Sequence, residues 1–425
     1  MDGTTFVRKE ILAAQSPPTS EIGIGGWARE NLFGSVFNSV MTVLSATAVV
    51  LFLAESLPWI LQSSWTANSL SECRERISDR YGEGVHGACW SVIRERYLQM
   101  LFGFYPSELY WRPILTFVLL LGALSPVLFP SIPRILLVFS AVYPFVGYWL
   151  LWGGSIWGPF SIVAGFAIGI FAGQHVKYRI AMIAVLILSV YLCFRISGYL
   201  QTAAPVGIEP IESAQMGGFL LSVTIGTTGI VLSLPIGILL ALGRTSDLLI
   251  VKAICVGFIE FIRGVPLITL LFVASTLLNL FMPPGTNFDL ILRVVIMVTL
   301  FASAYMAEVI RGGLAALPRG QYEAADALGL DYWKSIRLVI LPQALKISIP
   351  GIVSTFIGLF KDTTLVSIIG LLDPLGLSTS IRADSDWNGI VWELYGFVAL
   401  MFFIFCFAMS RYSMYLERKL EISNH

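Results

Sequence analysis

The residues Gln321–Tyr322–Glu323–Ala324–Ala325–Asp326–Ala327–Leu328–Gly329, closed further on by Leu341–Pro342–Gln343, form a small polar island in a chain that is otherwise mostly lipid-soluble. From Arg319 to Leu328 the residue types favour helix, and Gly329 suits the left-handed conformation that ends one. Asp331 is a suitable N-cap for a second helix, on which Trp333, Ile336 and Ile340 share a face at i, i+3 and i+7. Pro342 is expected to stop or kink that helix as the chain re-enters the membrane. A helix–Gly–helix of about twenty residues between two apolar runs is too ordered for a connector and too short for a domain. It reads as a docking surface for something in the water. The alternative is an amphipathic interfacial connector with no partner.

Around the island, composition sets the class. Hydrophobic residues make up 56% of the 425 and charged residues 13%, and the mean hydropathy is +0.80. That lies outside soluble globular proteins. Lys and Arg together balance Asp and Glu, and no basic stripe points to nucleic acid. Trp111, Trp149, Trp152 and Trp157 fall near the ends of apolar runs, as in an interfacial aromatic belt. The first 35 residues are polar, carry Ser16–Pro17–Pro18–Thr19–Ser20, show no cleavable signal peptide and read as a disordered tail.

Runs of spanning length fall at 36–58, 113–130, 134–152, 156–173, 180–199, 217–242, 264–282, 289–310, 344–362 and 391–411. The expected fold is thus all-α and polytopic, with about ten transmembrane helices. With the N-terminus inside, the inner segments hold Arg8, Lys9, Arg29, Arg134, Lys177, Arg179, Arg244, Lys252, Arg263, Arg311, Arg319, Lys334, Arg337, Lys346, Arg411, Arg418 and Lys419, whereas the short outer loops hold little beyond Arg382. This bias puts both termini and the island in the cytoplasm. The one long outer loop, 59–112, carries balanced charge and the two cysteines outside the spans, Cys73 and Cys89. On the outer side these can form a disulfide or stay as two thiols. Cys193, Cys255 and Cys406 read as packing residues.

The chain divides near residue 210. After the tail 1–35, residues 36–210 carry five runs joined by short turns such as Phe129–Pro130–Ser131–Ile132–Pro133, with few polar groups inside the spans. Residues 211–415 hold five runs, more Gly and Thr, and the loop 319–342, and a short cytoplasmic tail, 416–425, closes the chain. Ionisable groups in spans are costly unless paired or wet, and they mark pathways. Glu308, Lys361 and Asp362, with Thr363 beside them, are therefore pathway or gate candidates. Their structural alternative is mutual pairing that fixes helix packing. Residues 248–262 read as an interfacial helix, with Pro266 starting the following span. Arg263 either snorkels to headgroups or takes part in an inner gate. Asp289 and Arg293, four apart, read as an interfacial ion pair.

The order Glu323–Ala324–Ala325, Gly329, Val339, Leu341–Pro342 resembles the coupling-loop signature of membrane subunits of binding-protein-dependent ATP-binding-cassette (ABC) importers, with Val339 where that family usually has Ile. Four further stretches look like its polar-amino-acid branch: Gly217–Gly218–Phe219–Leu220–Leu221–Ser222–Val223–Thr224, Phe261–Ile262–Arg263–Gly264–Val265–Pro266, Ala304–Tyr305–Met306–Ala307–Glu308–Val309–Ile310–Arg311–Gly312–Gly313 and Lys361–Asp362–Thr363–Thr364–Leu365–Val366–Ser367–Ile368–Ile369–Gly370. The resemblance covers about the second half of the chain. Enlarged permeases with extra N-terminal spans resemble one subset, the general L-amino-acid or glutamate/glutamine/aspartate uptake systems of bacteria.

The resemblance implies a type I importer core of five spans in the inner membrane. Its coupling residues would be Tyr322, Glu323, Ala324, Ala325, Gly329, Leu341 and Pro342, with both alanines allowing close approach of an ATPase. The implied partners are a second, homologous permease, two ATPase subunits on the inside, a periplasmic amino-acid-binding protein and membrane lipid. No Gly-x4-Gly-Lys-Ser/Thr loop occurs, so ATP and Mg would sit on the partner ATPase and no cofactor on this chain. His86, His175 and His425 are scattered and form no metal set with Cys. A self-sufficient secondary transporter or channel is the competing class, expected to show inverted repeats and broken helices in both halves. A membrane scaffold is a third.

Overall fold

The computed structural model describes residues 23–176, 178–277 and 289–422. Expectations for residues 1–22, for Lys177, for the end of the seventh run at 278–282 and for 423–425 lie outside them. The chain forms two compact units, one up to Ser91 and one from Val92 onward. Composition alone places its boundary near 210 instead.

In the first unit, α1 (Gly23–Asn31) is helical although it falls within the stretch read as a disordered tail. It closes locally, with the Asn31 side chain donating to the Trp27 carbonyl at 2.9 Å. Helix α2 (Val36–Leu61) starts at the Ser35 cap and buries none of its side chains in the protein, as befits an apolar helix whose solvent is lipid. Helix α3 (Leu70–Tyr81) is capped by Ser69 and turns Leu70, Cys73 and Ile77 inward. Cys73 and Cys89 are joined as a disulfide with Cα atoms 6.0 Å apart. Trp90 next to it packs on Trp59 and Trp65, with ring centroids 5.8 and 6.0 Å away.

The second unit begins in α4 (Ser91–Phe102), at Val92. Two helical hairpins follow, α5 (Trp111–Leu128) with α6 (Leu137–Trp152), and α7 (Trp157–Gly173) with α8 (Arg179–Ala203). The α7–α8 contact is close because Ser161, Gly165, Gly169 and Gly173 line one buried stripe. A Cβ on Gly165 would lie 2.7 Å from the Val190 Cα. A two-residue ribbon, β1 (Gly154–Ser155) with β2 (Gly207–Ile208), ties the connection after α6 to the linker after α8.

Then come α9 (Gly218–Arg244), α10 (Leu249–Gly264) and, after a 101° bend at Val265–Pro266, α11 (Leu267–Phe272) with a π turn to Leu277. Helix α12 (Leu290–Ala315) is the most buried of the described spanning helices. Helices α13 (Arg319–Ala327) and α14 (Tyr332–Ser335) form the island. Helix α15 (Leu341–Asp362) runs antiparallel to α12: Val309 faces Gly351, while Val298 and Leu359 both face Gly229 of α9. The chain ends with α16 (Pro374–Arg382) and α17 (Trp392–Ile422). Since α17 is helical past residue 416, the last described residues extend a span rather than form a separate tail.

Eight described helices are long and apolar enough to cross a membrane, and the bent α10–α11 pair makes a ninth if taken as one span. The 17-residue α7 sits at the short limit of a crossing helix and accounts for the tenth apolar run. Two sequence expectations are corrected. Arg293 makes no ion pair with Asp289. Asp289 instead caps α12 through the Leu292 N–H, and the buried Arg293 guanidinium donates to the Ser275 carbonyl at 2.8 Å. Pro342 neither stops nor sharply kinks its helix. The ladder widens just ahead of it, with the Leu341 N–H reaching back five residues to Ile336, which absorbs the proline in a helical run from Tyr332 to Ile369.

Candidate functional site

Three places carry the polar residues singled out in the sequence: the island, a charge cluster on α9, α10 and α12, and the far end of α15. In the island, Gly329 has φ +67, its N–H bonds to Asp326 O at 2.9 Å, and the Leu330 N–H bonds to Ala325 O at 3.2 Å. This is the Schellman stop, which needs a residue at ease in the left-handed region. Asp331 then caps α14 through the Lys334 N–H at 2.9 Å. The Gln343 amide donates to Gln321 Oε1 at 2.9 Å and so ties α13 to the start of α15.

Ile336 and Ile340 enter the core beneath, whereas Trp333 is 57% exposed and its ring stands edge-on to Tyr332. The single face expected of the three is therefore broken, because burial begins at Ser335 and the first turn of α14 stands clear of the bundle. Ala325 is buried in its own chain, so of the two alanines only Ala324 is open to a partner, as a 100° step between neighbours on a helix requires. The outward surface comprises Glu323, Ala324, Leu328, Tyr332, Trp333 and Leu338, and Pro342 is exposed beside it. Burial, with Tyr332 nearby, pushes the Tyr322 phenol above its ordinary value, which keeps it neutral.

Glu308 is held by three guanidinium groups. Arg244 of α9 lies 3.2 Å from it, Arg263 of α10 lies 3.3 Å from it, and Arg311 one turn on donates to its other oxygen. Glu260 takes a second contact from Arg244 at 2.8 Å, and Arg263 also stands over the Tyr305 ring, 5.6 Å from its centroid. Arg263 thus faces a carboxylate and a ring, and the cluster locks three helices together where α9 and α12 end.

Glu308 does not meet Lys361 and Asp362. The antiparallel register puts Glu308 level with residue 350, so Lys361 lies about eleven residues further along α15, roughly 16 Å away at a rise of 1.5 Å per residue. Lys361 is exposed, Asp362 is half-buried, and Thr363 is buried with its hydroxyl on the Phe360 carbonyl at 2.7 Å. Sequence reasoning missed Arg244 and Glu260, whose pairing depends on helices far apart in the chain. It also missed Asp373. That carboxyl is fully buried, caps α16 through Gly376 and Leu375 N–H at 3.0 and 3.2 Å, and is pushed up to about 6 because burial outweighs those donors.

The described residues thus define a polytopic helical membrane protein that carries an exposed helix–Gly–helix between two of its long apolar helices. Residues 233–422 match the family described as binding-protein-dependent transport system inner membrane component. The glutamate/glutamine/aspartate/asparagine transport system permease protein BztC of Rhodobacter capsulatus is 59% identical, with 99% of both chains covered. The inner membrane amino-acid ABC transporter permease protein YhdY of Escherichia coli is 40% identical, with 92% of both covered. The probable glutamine ABC transporter permease protein GlnP of Bacillus subtilis is 30% identical over 47% of this chain and 90% of its own. The chain belongs to the family of amino-acid ABC transporter permeases, and it is the permease subunit of a binding-protein-dependent importer. Its length is shared with the first two relatives, whereas the third spans about half of it.

Proposed function

We propose that the chain carries acidic amino acids and their amides into the cytoplasm as one of two homologous permeases, served by two ATPase subunits inside and a soluble binding protein outside. The 59% identity to a permease named for glutamate, glutamine, aspartate and asparagine supports that substrate class. ATP and Mg are bound by the ATPase, and this chain binds no cofactor of its own. The termini and the island are cytoplasmic, in keeping with the distribution of Lys and Arg.

One observation carries the coupling role: the exposed island is continuous with the helical run Tyr332–Ile369. Motion of a docked ATPase would be transmitted as rigid-body movement of that run. Tyr322, Glu323 and Ala324 are the contact residues, Ala325 seats α13, Gly329 sets the bend, and Leu341 and Pro342 join the dock to the span. Alternating access follows, with the Glu308–Arg263 cluster as the inner gate and Lys361, Asp362 and Thr363 further along the pathway. The test is reconstitution of the whole transporter. The chain should co-purify with an ATPase whose hydrolysis rises on adding binding protein and L-glutamate or L-glutamine. Uptake without ATP would instead identify a secondary transporter.

A further inference from the structure

Helix α4, which precedes the family-matched region by more than a hundred residues, is built into the end of the core opposite the island. Arg96 donates to Asp384 at 2.8 Å, and the buried Trp387 indole donates to Glu95 at 3.2 Å. Gly103 pairs with Met216 as an isolated β-bridge. Gly218, at φ +61, lies so near the Met100 carbonyl that a Cβ would stand 2.4 Å from its oxygen. These contacts, two of them made over 288 and 292 residues of chain, fix α4 in place.

Between α4 and α16 opens a pocket of about 330 Å³. Arg96, Gln99 and Phe104 form one wall, and Ser380, Ala383 and Asp384 form the other. Phe104 is 52% exposed. The Arg96–Asp384 pair is itself partly open to water, with side chains 26% and 31% exposed. The pocket therefore has an apolar ring, two neutral hydrogen-bonding groups and a paired rim. It suits one large side chain with an apolar body and a polar tip.

We propose that this pocket seats a side chain of the external amino-acid-binding protein, so that the N-terminal region supplies half of the dock. The inference rests on the proposed function above. The family is binding-protein-dependent, and the pocket lies beyond the end of α15 away from the coupling island, on the face a soluble partner outside the cytoplasm would meet. A mixed aromatic and polar patch of this kind is what anchors in protein interfaces occupy.

The complete transporter in proteoliposomes, titrated with binding protein saturated with L-glutamate, provides the test. Ala383→Trp, which fills the pocket, and Phe104→Ser, which removes its aromatic wall, should each raise the half-maximal binding-protein concentration about tenfold or more, with the rate at saturation retained. In the otherwise unaltered chain, a photo-crosslinking residue in place of Phe104 should link to the binding protein on illumination. Half-maximal concentrations within about twofold of the wild type for both variants, or a crosslink only to lipid or to this chain, would overturn the inference. A wild-type transporter that ignores binding protein would overturn the proposed function and this inference with it. Normal stimulation with unaffected variants would overturn the inference alone.

Discussion

At the scale of single residues, the structure separates groups that carry charge from groups that shape the backbone. Glu308 bridges Arg244, Arg263 and Arg311, so Glu308→Gln leaves three guanidiniums near one another with only Glu260, on Arg244, as counter-charge among the described residues. The Arg263 and Arg311 side chains are 34% and 42% exposed, and the expected loss of stability is about 1–2 kcal/mol. It should appear as a lower melting temperature in detergent together with reduced uptake, and an unchanged melting temperature would contradict the packing role. Gly329 differs in kind. A side chain there meets nothing within 4 Å, so the obstacle is its φ of +67 rather than space. Gly329→Val should insert normally but fail to co-purify the ATPase, whereas Gly329→Asn, which tolerates the left-handed region, should retain it. Asp373 has a folded-state pKa of about 6 against an ordinary 3.8. The fold favours its protonated form, so the associated stability is full below about pH 4 and is lost as the pH rises through 6, about 3 kcal/mol in all. Asp373→Asn keeps the cap but cannot titrate. It should flatten the pH dependence of amide-exchange protection over 371–391.

At the scale of elements, rigidity matters most. The run from Tyr332 to Ile369 absorbs Pro342 through a π turn and so connects the exposed turn of α14 to the core by continuous helix. Replacing Leu341 and Pro342 together by glycines would soften that joint by about 1 kcal/mol per position while leaving the surface of the dock intact. The expected outcome is a transporter that still co-purifies with its ATPase and hydrolyses ATP, yet takes up amino acid at least about tenfold more slowly. Equal uptake would show that force does not travel through this helix. The α7–α8 hairpin is governed by approach distance instead. Gly165→Leu forces a side chain against the Val190 backbone, and overpacking of about 1–3 kcal/mol should be visible as loosened protease resistance of that hairpin.

At the scale of the whole molecule, the unit up to Ser91 is held by a different device from the bundle. Its disulfide closes a loop of sequence separation 16. Removing it as Cys73→Ser should cost about 3 kcal/mol of stability in that unit, read as faster proteolysis between 62 and 91 under conditions that leave α9 to α17 intact. Spans were legible in the sequence because hydropathy and length are local properties, and so were the Gly329 stop and the Asp331 cap, which depend on a few neighbouring residues. Burial of Ala325 but not Ala324, and exposure of Trp333 beside buried Ile336, were not legible, because they depend on where the bundle ends beneath the island. The helix at 23–31 lay hidden in a stretch that reads as tail.

The sequence by itself determined that this chain lives in a membrane and that its second half resembles an importer's coupling signature, since each rests on composition or on contiguous residues. Only the tertiary structure decided what Glu308, Arg293 and Arg96 touch. Their partners, Arg244 and Arg263, the Ser275 carbonyl and Asp384, lie from 18 to 288 residues away in the chain. Such pairings are set by helix register and crossing, which no local pattern encodes.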